Sequence, residues 1–141
     1  LAKKVYLFEY KKEWIEALNA TFMQWQDKVT IVQKYVSGRV RSNATTIDNY
    51  FKDSQDSLLI KMDVEGAESV VLSGGNETLK RKNVKVICCT YHKQNDAEEF
   101  QQFLNSKGYQ TEFTDGYMFW KSDKSFKPPY FRKGIIRGWK V

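Results

Sequence analysis

The chain has 141 residues, the length of one ordinary domain; with 41% hydrophobic and 15% aromatic residues and only 8 Gly and 2 Pro it has the material for a core and does not read as disordered. Its net charge of +6 is unevenly spread: residues 121–141 hold seven basic side chains and one acid, whereas residues 1–120 hold sixteen of each. No apolar run approaches the ~20 residues a membrane span requires, and Leu1-Ala2-Lys3-Lys4-Val5 is followed by no apolar stretch or small-residue cleavage site of the kind that marks a signal peptide.

Val5-Tyr6-Leu7-Phe8 is an aromatic and β-branched run ending at Glu9, which predicts a buried strand. From Lys12 to Trp25 the apolar residues Trp14, Ile15, Leu18, Phe22 and Trp25 recur at helical spacing and predict one amphipathic helix. Val29–Val36 returns to strand composition and stops at Ser37-Gly38. After a polar stretch over 39–44, Thr45–Phe51 suits one short helical turn begun by a Thr cap. Ser57–Val64 predicts a second buried strand, broken at Glu65-Gly66 and followed by a helix over Ala67, Val70 and Val71 that ends before Gly74-Gly75. Asn76 is positioned to cap a further short helix over Glu77–Lys82.

Val84–Tyr91 is the most strand-like run in the chain. Asn95 and Glu98 approximate a capping box, Ala97, Phe100 and Leu104 form an apolar stripe, and Lys107-Gly108 supplies a helix stop, which together predict another helix. Tyr109–Thr114 and Tyr117–Lys121 flank Asp115-Gly116, a pair with hairpin-turn chemistry, so an antiparallel hairpin is expected there. Alternating strands and helices imply an α/β fold with a mostly parallel sheet, helices on both faces and an antiparallel C-terminal edge. The only cysteines, Cys88 and Cys89, are neighbours on a strand and point to opposite faces, so they are expected as two reduced thiols of a cytoplasmic protein rather than as a disulfide or a shared metal site.

Ligands of open α/β sheets bind beyond the carboxyl ends of the strands. Three polar groups stand at such ends: Glu9; Asp63 with Glu65 and Glu68; and His92, the only histidine. A carboxylate in the position of Glu9 suits the hydroxyls of a ribose, although a solvated strand-end acid reads the same way. Three acids within six residues repel one another unless a cation, donors or a helix N-terminus offsets them. His92 at the same edge is either an ordinary satisfied histidine or a general base.

Ile60-Lys61-Met62-Asp63-Val64-Glu65-Gly66-Ala67-Glu68, with Val71-Leu72 and Gly74 after it, resembles the central signature of the FkbM-type methyltransferases, S-adenosylmethionine-dependent enzymes of the class I Rossmann-like fold. Val5–Glu9 resembles the family's second strand, Thr46-Ile47-Asp48 its threonine-hydrophobe-aspartate element, and Tyr91-His92-Lys93 with Asp96 the segment after its fifth strand, so the resemblance covers roughly residues 4–109. It implies methyl transfer from S-adenosylmethionine to an acceptor hydroxyl, on a sugar or another metabolite. Glu9 would hold the cofactor ribose, Asp63 would lie near the transferring methyl, and Glu65 and His92 would orient or deprotonate the acceptor. Asp63 and Glu65 are also suited to share a divalent cation such as Mg²⁺.

Two departures from the family pattern bear on this. Tyr10 stands where the family usually has Pro, and the family's first strand and glycine-rich loop belong about 20 residues before Glu9, whereas only eight residues precede it here. A sheet without its central first strand is therefore expected, read as a fragment of a longer enzyme that binds the cofactor weakly or not at all by itself, with rearranged pairing as the alternative; the unpaired edges such a sheet would leave suit dimerisation by strand addition. Residues 1–121 are taken as the partial methyltransferase domain and 122–141 as a basic aromatic tail. Lys121 at its border and, within it, Lys124, Lys127, Arg132, Lys133, Arg137 and Lys140, interleaved with Phe126, Tyr130, Phe131 and Trp139, suit docking on the body, contact with an anionic acceptor, or a non-catalytic module that binds nucleic acid.

Overall fold

A computed structural model of the chain describes residues 2–120 and 127–141. Strand β1 (Val5–Glu9) leads into helix α1 (Lys12–Thr21), a 3₁₀ turn (Met23–Trp25) and strand β2 (Val29–Gln33). Short strands β3 (Tyr35–Val36) and β4 (Ala44–Thr45) precede α2 (Ile47–Tyr50), β5 (Leu58–Met62) and α3 (Glu68–Ser73). A second 3₁₀ turn (Thr78–Lys80) leads to β6 (Val84–Cys89) and α4 (Asp96–Ser106); β7 (Gln110–Phe113), β8 (Met118–Phe119), β9 (Phe131–Arg132) and β10 (Ile135–Trp139) complete the chain.

The main sheet has the order β5-β6-β10-β7. β5 and β6 are parallel, with Met62 opposite Cys88, and β10 runs antiparallel to both of its neighbours. β1 and β2 form a separate parallel pair in which Glu9 lies opposite Gln33. Among the described residues no strand pairs with the free edge of β1 or with that of β5, so the sheet is interrupted where the family's first strand is expected.

The core explains the alternation in the sequence. Val84, Val86 and Cys88 of β6, Met62 of β5 and Ile136 of β10 bury one face against Ile47, Val71, Leu72, Phe100 and Leu104, which come from α2, α3 and α4. Helices on both faces are expected from the sequence, yet the opposite face of this sheet carries Leu59, 66% exposed, together with exposed Lys61, Lys85 and Arg137. Period-two alternation of this kind belongs to a sheet with one wet face.

Other local expectations change for identifiable reasons. Helix α1 ends at Thr21, four residues short of the predicted end; Trp14 and Trp25 remain 59% and 46% exposed because the face they share with half-buried Ile15, Leu18 and Phe22 meets only the two-stranded sheet. Asn76 caps nothing. The backbone N–H groups of Glu77 and Thr78 donate instead to the two oxygens of Asp48, at 3.0 and 2.7 Å, so a residue some thirty positions away starts this turn. The Asn95–Glu98 box does not form either; Asp96 accepts the Lys93 N–H at 2.7 Å and opens α4 in its place. The Thr46 cap is present, its hydroxyl accepting the Asn49 N–H.

The largest correction concerns the C-terminal region. Among the described residues Tyr109–Thr114 and Tyr117–Trp120 do not pair with each other, although Gly116 makes a turn at φ 82°; β7 pairs with β10, and β8 with β9. Lys121, Lys124 and Phe126 lie outside the described residues. Residues 131–139 are therefore strands of the domain rather than an appended tail, because the fully buried Ile136 fills the space between β6 and β7. Their charges have local work: Arg132, 4% exposed, donates to the carbonyls of Tyr91 and His92 and to Gln94 Oε1, and Lys140 donates to the Leu79 carbonyl while lying over the Tyr109 ring.

Truncating Ile136 to Ala should remove about 2–4 kcal/mol of stability, measured as a fall in the urea midpoint at unchanged m-value; an unshifted midpoint would show that β10 is dispensable. Asp48→Ala should cost about 1–2 kcal/mol by leaving two backbone donors without their acceptor, and thermal unfolding should find Asn76→Ala less damaging.

Candidate active site

The loop after β5 and the loop after β6 meet at the carboxyl edge of their parallel pair, which brings together residues some thirty positions apart. The turn after β5 is shaped by backbone conformations few residues adopt: Glu65 has φ 53° and Gly66 φ 89°. A left-handed Glu costs about 1–2 kcal/mol. That turn leaves Asp63 and Glu65 partly or largely exposed, at 37% and 80% of their side chains, and returns the chain so that Glu68 is wholly buried.

Glu68 holds this turn closed. Its Oε1 accepts the Val64 N–H at 2.8 Å, bracing the strand end against the first turn of α3. The same oxygen stands 3.0 Å from His92 Nδ1, whose side chain is only 3% exposed. The two are within ion-pair range but out of line for a ring N–H hydrogen bond, and Glu68 Oε2 and both ring nitrogens are buried without a hydrogen-bond partner. On its other side, His92 Nε2 lies 3.6 Å from Asp63 Oδ1 and 3.6 Å from Glu65 Oε2.

Neighbouring groups fix the imidazole from outside. Tyr91 packs beside it and Trp120 meets it edge-on, with ring centroids 4.4 and 5.1 Å away, and Arg132 clamps the carbonyls of Tyr91 and His92. Burial, with Cys89 and Asp63 nearby, pushes the Tyr91 phenol well above its usual range, so at neutral pH it remains a donor, to Asp63 Oδ1 at 3.1 Å. Asp96, at the start of α4, is raised mainly by burial, an effect opposed by the Lys93 N–H it accepts.

Asp63, Glu65 and His92 thus converge as their positions at strand ends imply. Glu9 is elsewhere. Its Oε1 accepts the backbone N–H groups of Tyr10 and Lys11, at 2.6 and 2.8 Å, and no hydrogen bond or ion pair among the described residues joins it to the His92 cluster. In place of the family's Pro, Tyr10 stacks on Tyr35, with centroids 4.3 Å apart. Tyr91, Trp120 and Arg132 carry no sequence signal of their own as site residues. Glu68 does stand in the acidic run, but its complete burial follows only from the fold.

Among the described residues no helix is long and apolar enough to cross a membrane, and Cys88 and Cys89 are both free and buried. Residues 3–111 match the Methyltransferase FkbM domain family. No curated protein matches the chain. Among solved structures, methyltransferase FkbM from Methylobacillus flagellatus KT superposes with a TM-score of 0.71 at 18% identity, over 97% of this chain and 36% of that one. Precorrin-6y C5,15-methyltransferase from Geobacter metallireducens GS-15 superposes with a TM-score of 0.57 at 14% identity, over 98% of this chain and 68% of that one. At these identities the likeness is one of fold, a Rossmann-like α/β architecture, and the chain spans about a third of the first structure's length. With the match covering most of its residues, the chain belongs to the FkbM methyltransferase domain family.

Proposed function

We propose that this chain forms the ribose-facing and acceptor-facing part of an S-adenosylmethionine-dependent methyltransferase that methylates a hydroxyl of a sugar or another small metabolite. The observation that supports it most is the convergence of Asp63, Glu65 and His92 at the carboxyl ends of β5 and β6 within the family match. S-adenosylmethionine, when bound, supplies an electrophilic methyl group on a sulfonium.

The residues fit part of that cofactor. Glu9, half-buried at the end of β1, offers a carboxylate to a ribose, and its grip on two backbone N–H groups holds it at the strand end. For the methionine end no Gly-x-Gly sequence occurs in the chain, and Gly74 of the signature is committed to packing. A Cβ on Gly74 would lie 2.2 Å from the Ser37 carbonyl oxygen. Toward the acceptor, the exposed carboxylates of Asp63 and Glu65 would orient a hydroxyl and Glu65 or His92 would take its proton, a reading supported by the closeness of the three side chains. Trp120 and Tyr91 pack against the imidazole and hold its orientation.

Calorimetric titration of this chain with S-adenosylmethionine should give no binding, or binding weaker than about 100 μM, equivalent to roughly 5.5 kcal/mol; low-micromolar affinity would show that 141 residues suffice. In a full-length methyltransferase containing this domain, His92→Ala should lower transfer of a labelled methyl group by about 10²–10⁴-fold. Wild-type turnover in that variant would remove His92 from the chemistry.

A further inference from the structure

We propose that Asp63, Glu68 and His92 form a binding site for a divalent transition-metal ion, Mn²⁺, Fe²⁺, Co²⁺ or Zn²⁺ rather than Mg²⁺ or Ca²⁺. One ligand atom from each of the three lies within 4.8 Å of the others, close to the span of donors around a single cation. This set differs from the Asp63–Glu65 oxygen pair expected from the sequence: it replaces a largely exposed carboxylate by a buried one and adds a nitrogen.

Three observations carry the assignment. Glu68 is wholly buried, and although its Oε1 accepts the Val64 N–H, its Oε2 has no hydrogen-bond partner; a buried carboxylate with one oxygen unanswered is costly unless a cation meets it. Both ring nitrogens of His92 are buried and unpartnered as well, with carboxylate oxygens 3.0 Å from one and 3.6 Å from the other. A neutral imidazole has a single N–H, so one nitrogen must turn a lone pair toward acids, an arrangement that a metal ion reverses from repulsive to attractive. Finally, Asp63, Glu65 and Glu68 put three acidic groups around one histidine, and a dication offsets charge that imidazole cannot.

The donor types select the metal. An imidazole nitrogen with two carboxylates suits borderline divalent ions, whereas Mg²⁺ and Ca²⁺ favour oxygen alone. Asp63, 37% exposed, is on the solvent side, which leaves coordination positions open for water or for an oxygen of an incoming molecule. With His92 engaged as a ligand, Glu65 remains to take a proton. Binding of the ion depends on no property of a methyl donor, so it is tested apart from the function proposed above, in which a bound ion would make His92 a ligand and leave Glu65 as the base.

The test is titration of the metal-stripped chain with Co²⁺, read by its visible absorption, with calorimetry of Zn²⁺, Mn²⁺ and Mg²⁺ in the absence of any methyl donor or acceptor. One Co²⁺ per chain is expected, with Mg²⁺ at least about tenfold weaker. Asp63→Asn and His92→Gln should each weaken Co²⁺ by about tenfold or more, while Asp115→Asn, a surface acid elsewhere, should leave it unchanged. Absence of Co²⁺ and Zn²⁺ binding at about 1 mM in chain shown folded by circular dichroism, a water-filled site in effect, overturns the proposal. So does binding that survives Asp63→Asn, a solvent-side change that leaves the core intact. Because only metal is titrated, failure here is distinct from failure of methyl transfer.

Discussion

A carboxylate sealed from solvent governs the carboxyl edge of this domain. Glu68 takes the Val64 N–H and stands against His92, so one buried side chain joins the end of β5, the start of α3 and the loop after β6. Without that acceptor the left-handed pair Glu65-Gly66 would lack the brace that holds it in a conformation costly for Glu. The exposed acids Asp63 and Glu65 face His92 because this turn is closed. A polar core group of this kind is expensive, and its expense is the reason that its unpartnered oxygen is informative.

The net charge takes on a different meaning in the folded chain. Three of the C-terminal cations are engaged within the fold: Arg132 closes the loop carrying His92, Lys140 caps a carbonyl beside Tyr109, and Lys133 lies 4.4 Å from the Tyr117 ring centre. The basic segment therefore supports the same strand edge that bears the acids. In Arg132, Lys133 and Lys140, cations that read as part of a basic tail in one dimension make internal hydrogen bonds and ring contacts in three.

Much of the parallel core was legible because its signals are local. β-branched runs gave β1, β2, β5 and β6, the Phe100–Leu104 stripe gave α4, and strand ends marked Asp63, Glu65 and His92 as neighbours before any distance was known. What was not legible depends on distant partners. Ile135-Ile136-Arg137-Gly138-Trp139 is short, contains Gly and sits among cations, and only its place between β6 and β7 makes it central. Asp48 caps a turn across about thirty residues, whereas Asn76 and Asn95 have the right local spacing and do not cap. The hairpin expected at Asp115-Gly116 failed for the same reason: the turn chemistry is real, but β7 finds a better partner further along the chain.

The placement of β10 also sets an order of events during synthesis. β7 pairs with β10 alone among the described residues, and β6 gains its second neighbour from the same strand. Residues 135–139 follow every other described strand, so during synthesis β7 and one edge of β6 have no partner in the sheet until they emerge. In that interval β6 is paired on the β5 side alone, and an open strand edge beside the apolar Val84, Val86 and Cys88 is a site for wrong pairing.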